Sequence, residues 1–356
     1  MTTTDRSDAL VERLFSAALG ALELYSIYLG GELGLYAALA EHGPLTAGEL
    51  ADRTGIAPRY AREWLEQQAV AGLLNLAPGS GERRYLLAPD HARVLLHADD
   101  LSHVAPFAHM LAGIGGVLPQ VVQAYRTGGG VPYESYGTAF RHGQGRINRP
   151  AFTHELPTSW LAALPDVAER INGADRPRIA DVGCGQGWSS LALARAFPNA
   201  WVDGIDADAA SIEDARRHAA EAGLDGRLRF RREDAAKLAD GPYDLIVILE
   251  ALHDMARPVD ALRAARAALA DGGAVLVVDE RVAEEFTAPG DEVERMMYGW
   301  SVTHCLPSQL AEPGSAALGT VLRSSTLRRL AEEAGYSQVQ ILDVDNDFFR
   351  LYRLNP

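Results

Sequence analysis

The sequence predicts an α/β protein: a doubly wound, mostly parallel sheet of seven strands ending in an antiparallel hairpin, preceded by a winged-helix-like domain and a helical cover. Three observations predict it. After Arg176-Pro177 the chain repeats strand, glycine turn, helix, strand, which is the rhythm of a parallel sheet with helices on both faces. Near residue 46 a capping signal opens two short helices followed by two short strands, the order of a winged helix. Between these regions, His91 to about Asn172 carries helical spacing and no strand signal. With 356 residues, 47% of them hydrophobic, the chain can bury two cores of ordinary size.

Along the chain, Leu10 to Leu39 is rich in Ala and Leu at helical spacing, and Gly30-Gly31 and Gly34 divide it into two or three closely packed helices. Thr46 and Glu49 stand three apart as a capping box requires, Thr54-Gly55 makes a turn, and Pro58 opens a helix to about Ala71. Leu73 to Leu76 and Tyr85 to Leu87, around a Pro-Gly-Ser-Gly turn, supply the wing. In the second of the paired helices Arg59 and Arg62 are cancelled by Glu63 and Glu66, and Trp64, Leu65, Val70 and Leu73 read as core, so the helix lacks the basic face that phosphate contacts need. A packing or dimerisation module is the better reading.

The cover segment carries Tyr133, Tyr136, His142, His154 and Trp160 as candidate ligand contacts, each of which also reads as packing or surface. Strands follow at Arg178 to Val182, Ala200 to Ile205, Arg227 to Arg232, Tyr243 to Leu249, Ala274 to Asp279, Gln338 to Asp343 and Phe348 to Leu354. Helices fall between them at Trp188 to Ala196, Asp208 to Ala222 and Pro258 to Ala270. The domain boundaries expected from this are 1–95, 96–172 and 173–356, the last with an insertion at 284–320.

A net charge of −15 presents a repulsive field to DNA or RNA, so nucleic acid is not an expected partner. Cys184 and Cys305 are the only cysteines, too few for a disulfide framework or a four-thiolate zinc site, and no metal is expected. Met1 to Asp8 carries Asp5 and Asp8 where a signal peptide is basic, and the apolar runs are interrupted by charges and glycines before reaching about 18 residues. The expectation is a cytoplasmic protein outside the membrane.

In a doubly wound sheet, ligands lie beyond the carboxyl ends of the strands, so the residues that end each strand carry the information. The first strand ends in Asp181-Val182-Gly183-Cys184-Gly185-Gln186-Gly187-Trp188, a glycine loop opening a helix whose free N–H groups favour a carboxylate or other anion. Its glycines are one residue tighter than a dinucleotide fingerprint. Nineteen residues after Gly187 the second strand ends at Asp206, placed to accept hydrogen bonds from both ribose hydroxyls. The third ends in Glu233-Asp234-Ala235, where a carboxylate meets an exocyclic amine; each acid alone also reads as a helix cap.

This ordered set, closely over Arg178 to Glu280, resembles the class I S-adenosylmethionine-dependent methyltransferases with a Rossmann-like sheet. The resemblance implies that Asp181, Gly183, Cys184, Gly185 and Gly187 hold the methionine part of the cofactor. It also implies that Asp206 with Ala207 binds ribose, that Asp234 with Ala235 faces adenine, and that Glu250 lines the same site. Leu252-His253-Asp254, after the fourth strand, is similar to the segment of small-molecule O-methyltransferases whose histidine deprotonates the acceptor hydroxyl. His253 is the candidate base, with hydrogen bonding to a carbonyl or lining of the cofactor site as its other reading.

The layout resembles small-molecule methyltransferases whose N-terminal part makes a homodimer. The insertion offers Trp300 and His304, beside Tyr133, Tyr136 and Trp160, as acceptor contacts. The function implied is methyl transfer from S-adenosylmethionine to a hydroxyl of a small molecule. N-, C- or peptide methylation remain the alternatives, and the non-enzyme alternative is a cofactor-binding regulator that uses the winged module.

Overall fold

The computed structural model describes residues 3–79 and 81–356; Ser80, in the expected wing turn, lies outside the described residues. The chain divides into two compact units, 1–115 with 138–150, and 116–137 with 151–356. The segment expected as a separate cover, 96–172, is therefore no unit of its own but is apportioned between the two.

In the first unit α1 (Thr3–Glu32), α2 (Leu35–His42), α3 (Ala47–Thr54) and α4 (Pro58–Val70) lead to the two-residue strands β1 (Asn75–Leu76) and β2 (Tyr85–Leu86), then α5 (Pro89–Leu96). The expected break at Gly30-Gly31 is absent. Helix α1 runs through both glycines and ends before Gly34, which takes a left-handed φ of 67°. Gly30 is there for closeness: a Cβ would stand 2.5 Å from the Tyr36 ring and 2.6 Å from Trp64. The capping box forms as its spacing requires, with Thr46 Oγ1 accepting from Glu49 N and a Glu49 carboxylate oxygen accepting from Thr46 N. Leu35, Leu39, Leu50, Trp64, Leu65 and Leu74 make the core of this unit. Val70, expected inside, is 90% exposed; the chain turns after it, and Gln68 and Leu74 fill the interior instead. Arg59 pairs with Glu63 and Arg83 with Glu66.

Two helices among the described residues stand out by length and mean hydropathy, although both carry the charges and glycines that interrupt their apolar runs. Residues Ser7–Glu32 of α1 and the whole of α6 (Pro106–Thr127) are long and apolar enough to cross a membrane by length and composition, because isolated glycines and charges barely lower the mean hydropathy of so long a run. The former cover also holds α7 (Gly137–Glu155) and α8 (Pro165–Gly173), with short turns at Tyr133–Tyr136, Leu156–Trp160 and Leu161–Ala163.

The second unit builds the sheet from β3 (Arg178–Val182), α9 (Trp188–Ala196), β4 (Trp201–Asp206), α10 (Ala209–Glu221), β5 (Leu228–Arg232), β6 (Tyr243–Leu249), α11 (Pro258–Ala267) and β7 (Leu269–Glu280). The insertion follows as α12 (Glu292–Trp300), one π turn (Ser301–Cys305) and α13 (Leu306–Leu310). Helix α14 (Ser324–Glu333) and the hairpin β8 (Gln338–Ile341) and β9 (Phe349–Asn355) close it. Strand order is β5-β4-β3-β6-β7-β9-β8, parallel except where β9 meets β7 and β8.

Alternation along the central strands assigns the two faces. Leu245, Val247, Leu276 and Val278 point to the side covered by α8, α9 and α10; Ile246, Ile248, Val275 and Val277 point to the side covered by α11 and α14. Helix α11 stops three residues earlier than expected because the Ala268 carbonyl accepts from Tyr243 N (2.8 Å), drawing Leu269 into the sheet. Chain direction switches beside β3, from β4 and β5 on one flank to β6 on the other, and the carboxyl ends there form the crevice where such sheets bind ligands.

Candidate active site

The loop after β3 is held from three sides. Gly183 N and Cys184 N both donate to the Ile205 carbonyl (2.8 and 3.0 Å), fastening the loop to β4. Gly183, Gly185 and Gly187 all have positive φ (78°, 49° and 78°). Yet they differ in surroundings: a Cβ on Gly183 would meet Ala251 Cβ at 2.5 Å and one on Gly187 would meet Phe230 at 2.9 Å, whereas Gly185 has nothing within 4 Å. Gly185 is thus the one glycine of the three with open space beside its backbone. Gly187 caps α9 without any side-chain cap, and of the first-turn amides that of Ser190 is taken by the Asp181 carboxylate.

Asp181 is 1% exposed, and its Oδ2 accepts from Ser189 and Ser190 (2.6 Å each). Burial pushes its carboxyl up to about 6 against those two hydrogen bonds. The structure places it behind the loop, fixing the first turn of α9. Asp206, at the tip of β4, accepts from Gly185 N through Oδ2 and from Asp208 N through Oδ1 (2.8 Å each), and burial raises it to about 6 as well. Ala207 beside it is exposed. Cys184 is a buried small residue whose thiol burial pushes well above its ordinary value, far from the state a nucleophile needs. Asp234 caps the turn Ala235–Lys237 by accepting from Ala236 N (3.0 Å) and pairs with Arg257.

One support for this loop escaped sequence reasoning. Trp188 stacks on His218 (4.1 Å, 26°), His218 Nδ1 lies 3.0 Å from the Gln186 carbonyl, and Gln186 Nε2 donates to Asp214 (2.8 Å). Only the docking of α10 beside the loop creates the arrangement, and no spacing signals it.

After β6, Glu250 takes a positive φ of 54°, rare for a residue with a side chain and a mark of functional sites. The short turn Leu252–Asp254 then carries His253 inward, 3% exposed. Its Nδ1 lies 2.9 and 3.1 Å from the two Asp279 oxygens and 3.5 Å from Glu280 Oε2, while Nε2 lies 3.7 Å from Asp254 Oδ2. The Asp279 carboxylate accepts from Nδ1–H, which leaves the lone pair of the neutral ring on Nε2. Burial alone would lower the imidazole; Asp279, Glu280 and Asp254 outweigh it and raise the group well above its ordinary value. The turn itself is tied down where Gln309 Nε2 donates to the His253 carbonyl (2.6 Å) and Gln309 Oε1 accepts from Gly319 N (2.9 Å). Burial and the neighbouring carboxylates raise both Glu250 and Glu280. Asp279, Glu280 and Gln309 were not read from the sequence; an acid pair at the end of the fifth strand is a signal that could have found the first two.

Of the acceptor candidates, three come together. Tyr136, buried, donates its hydroxyl to the Thr303 carbonyl (2.9 Å) and sets its ring edge-on to His304 at 4.6 Å; Tyr133 stands 5.7 Å from the same ring. His304 is buried and burial pushes it down to about 4, so it is neutral. Trp300 is half-buried at the end of α12. Trp160 is a core residue rather than an acceptor contact: it is fully buried, edge-on to Phe349 (5.4 Å) and Phe152 (6.1 Å), because Leu156, Leu161 and Leu164 turn the same face inward. His154 is exposed, and His142 belongs to the first unit.

A methyltransferase domain family matches residues 175–335, and the Rv2258c-like winged HTH domain family matches residues 20–97. Acetylserotonin O-methyltransferase of Mus musculus is 28% identical over 347 residues, 92% of this chain and 84% of that one. Trans-aconitate 2-methyltransferase of Streptomyces coelicolor is 34% identical over 139 residues, 39% of this chain and 43% of that one. In fold, human N-acetylserotonin methyltransferase in complex with SAM superposes with a TM-score of 0.71 at 18% identity, covering 97% of both chains. Mitomycin 7-O-methyltransferase MmcR gives a TM-score of 0.68 at 20% identity over 99% of both.

Proposed function

We propose that this chain, a class I S-adenosylmethionine-dependent methyltransferase with an N-terminal winged-helix domain, moves the methyl group to a hydroxyl oxygen of a small molecule and uses His253 as the base. The observation that carries the base assignment is the buried His253–Asp279 pair, which leaves Nε2 as the ring atom able to take a proton.

The residues fit the cofactor. Open space at Gly185, the uncapped first turn of α9 and the Asp206 carboxylate lie on consecutive strand tips, in the order amino acid then sugar. When bound, the cofactor supplies an electrophilic methyl on a sulfonium leaving group, so displacement depends mostly on alignment. Asp181 and Asp206 fix the loop that binds it. Nε2 of His253 accepts the proton of the acceptor hydroxyl, and Asp279 stabilises the imidazolium that forms. Tyr133, Tyr136 and His304 present aromatic edges that suit a flat acceptor. Reduced, buried cysteines agree with a cytoplasmic location. A homodimer formed through α1 agrees with its exposed Leu10, Val11, Leu14, Phe15, Leu19 and Leu22.

The test is a titration with S-adenosylmethionine, followed by a panel of phenols, N-acetylserotonin and amines read by mass spectrometry. Saturable cofactor binding with methyl gain on a hydroxyl compound is expected. Methylation of amines alone would overturn the hydroxyl reading.

A further inference from the structure

We propose that His253, Asp254 and Cys305 form a site for one thiophilic divalent cation of the zinc class, and that its occupation takes the base out of action. Fifty-two positions separate Cys305 from His253, and no metal spacing joins them in the sequence. The π turn Ser301–Cys305 brings the thiol over the end of β6, so that one ligand atom from each of the three residues lies within 4.8 Å of the other two.

Four features fit a cation. The donors are a ring nitrogen, a carboxylate oxygen and a sulfur, a set that zinc takes with a fourth position left open. Tetrahedral bonds of about 2.0–2.3 Å put neighbouring donors roughly 3.3–3.8 Å apart. Nε2 of His253 and Oδ2 of Asp254 already stand at 3.7 Å, and the Cys305 sulfur, which also lies 3.3 Å from His304 Nδ1, is within 4.8 Å of a ligand atom of each. His253 donates its other ring nitrogen to Asp279, the outer-shell carboxylate that orients metal-bound imidazoles and makes them better ligands. Finally, His253 and Cys305 are 3% and 5% exposed, so the nitrogen and sulfur donors have little competition from water, while the Asp254 side chain, 26% exposed with its Oδ1 unpartnered, leaves the carboxylate side open for entry. A second set, His253 with Asp279 and Glu280, also lies within 4.8 Å but offers no sulfur and uses the nitrogen that Asp279 already occupies.

On binding, the Cys305 thiol and the protonated His253 ring each give a proton to solvent, the cation–sulfur and cation–nitrogen bonds form, and no group is oxidised or reduced. Nε2 then holds the cation in place of the acceptor proton. The effect on turnover rests on the reading of His253 as the base; the binding does not.

The full chain, stripped of metal, is titrated with Co²⁺ and followed by the thiolate-to-cobalt charge-transfer absorption, then back-titrated with Zn²⁺. One equivalent of Co²⁺ with that absorption, displaced by Zn²⁺, is expected. Cys305→Ser should lose the absorption, although Cys184 is still present, and bind at least about 10-fold more weakly. Turnover of the wild type on the best acceptor of the panel should fall with zinc occupancy, while Cys305→Ser should keep its own zinc-free rate at the concentration that halves the wild type. Binding without the absorption, no saturable binding, or unchanged affinity in Cys305→Ser would overturn the site. If Cys305→Ser does not fold, Asp254→Asn serves, keeping the absorption at lower affinity; full affinity there would count against the site. Binding with the absorption but with undiminished turnover would support the site and remove the base role of His253.

Discussion

His253 sits among more negative than positive groups, and this sets both its charge and its pH behaviour. Its raised value means that the ring keeps its proton to higher pH than an ordinary histidine and must shed that proton before it can act. Turnover is therefore expected to rise with pH, with a midpoint above the 6.5 of an ordinary histidine. In Asp279→Asn the midpoint should move down, because the largest raising influence is gone, and turnover on the alkaline plateau should fall as Nδ1–H loses its carboxylate. The stability sign follows: a group raised by folding stabilises below its unfolded value, and that contribution disappears as pH climbs through the folded value. Asp279→Asn should thus destabilise most below about pH 6.5, by roughly 1.5–3 kcal/mol for a buried charged hydrogen bond, in urea unfolding at a series of pH values. His253→Ala should lower kcat by about 10²–10⁴ with cofactor affinity nearly unchanged. Asp206→Ala should do the reverse and weaken cofactor binding by about 10–100-fold in calorimetry, since it removes a charged acceptor and frees the Gly185 amide. Equal kcat in His253→Ala and wild type would remove the base role.

Within the glycine loop, three residues of one type answer to different demands. Gly183→Ala would drive a methyl into Ala251 in a left-handed conformation, so the loss should appear in stability, about 2 kcal/mol or more. Gly185→Ala meets open space and should cost only about 1–2 kcal/mol of stability, yet its methyl projects where the ligand approaches, so cofactor affinity should fall further than stability does. Thermal unfolding and calorimetry on the same two variants separate these outcomes; a matched loss of stability and affinity in both would contradict the distinction. Near-continuous apolar runs made β3 and β6 legible, because strands buried on both faces of a parallel sheet are apolar throughout, and alternation in Gln338–Ile341 made the hairpin so. The end of α11 and the continuity of α1 were not legible. A carbonyl claimed by a neighbouring strand and a glycine demanded by ring packing are contacts between distant residues, Ala268 with Tyr243 and Gly30 with Trp64.

For the molecule as a whole, the exposed apolar residues of α1 carry the assembly prediction. Phe15, 71% exposed, and Leu22, 68% exposed, should be covered by a second copy, so Phe15→Asp with Leu22→Asp should convert a dimer to monomer in light scattering without unfolding the cofactor unit. A wild-type monomer at tens of micromolar would sink that assignment. The sequence by itself determined the order of the strands and of the three helices between β3 and β7, the glycine loop and the acids at the ends of β4 and β5, since each depends on local spacing or on a backbone conformation that one residue type permits. Only the tertiary structure decided which ring nitrogen of His253 is engaged, that Trp160 is packing, and that Tyr136, His304 and Cys305 reach the same strand end. Those facts depend on segments far apart in the chain, brought together by the burial of their apolar faces, and side-chain periodicity carries no information about which distant partner a buried group will meet.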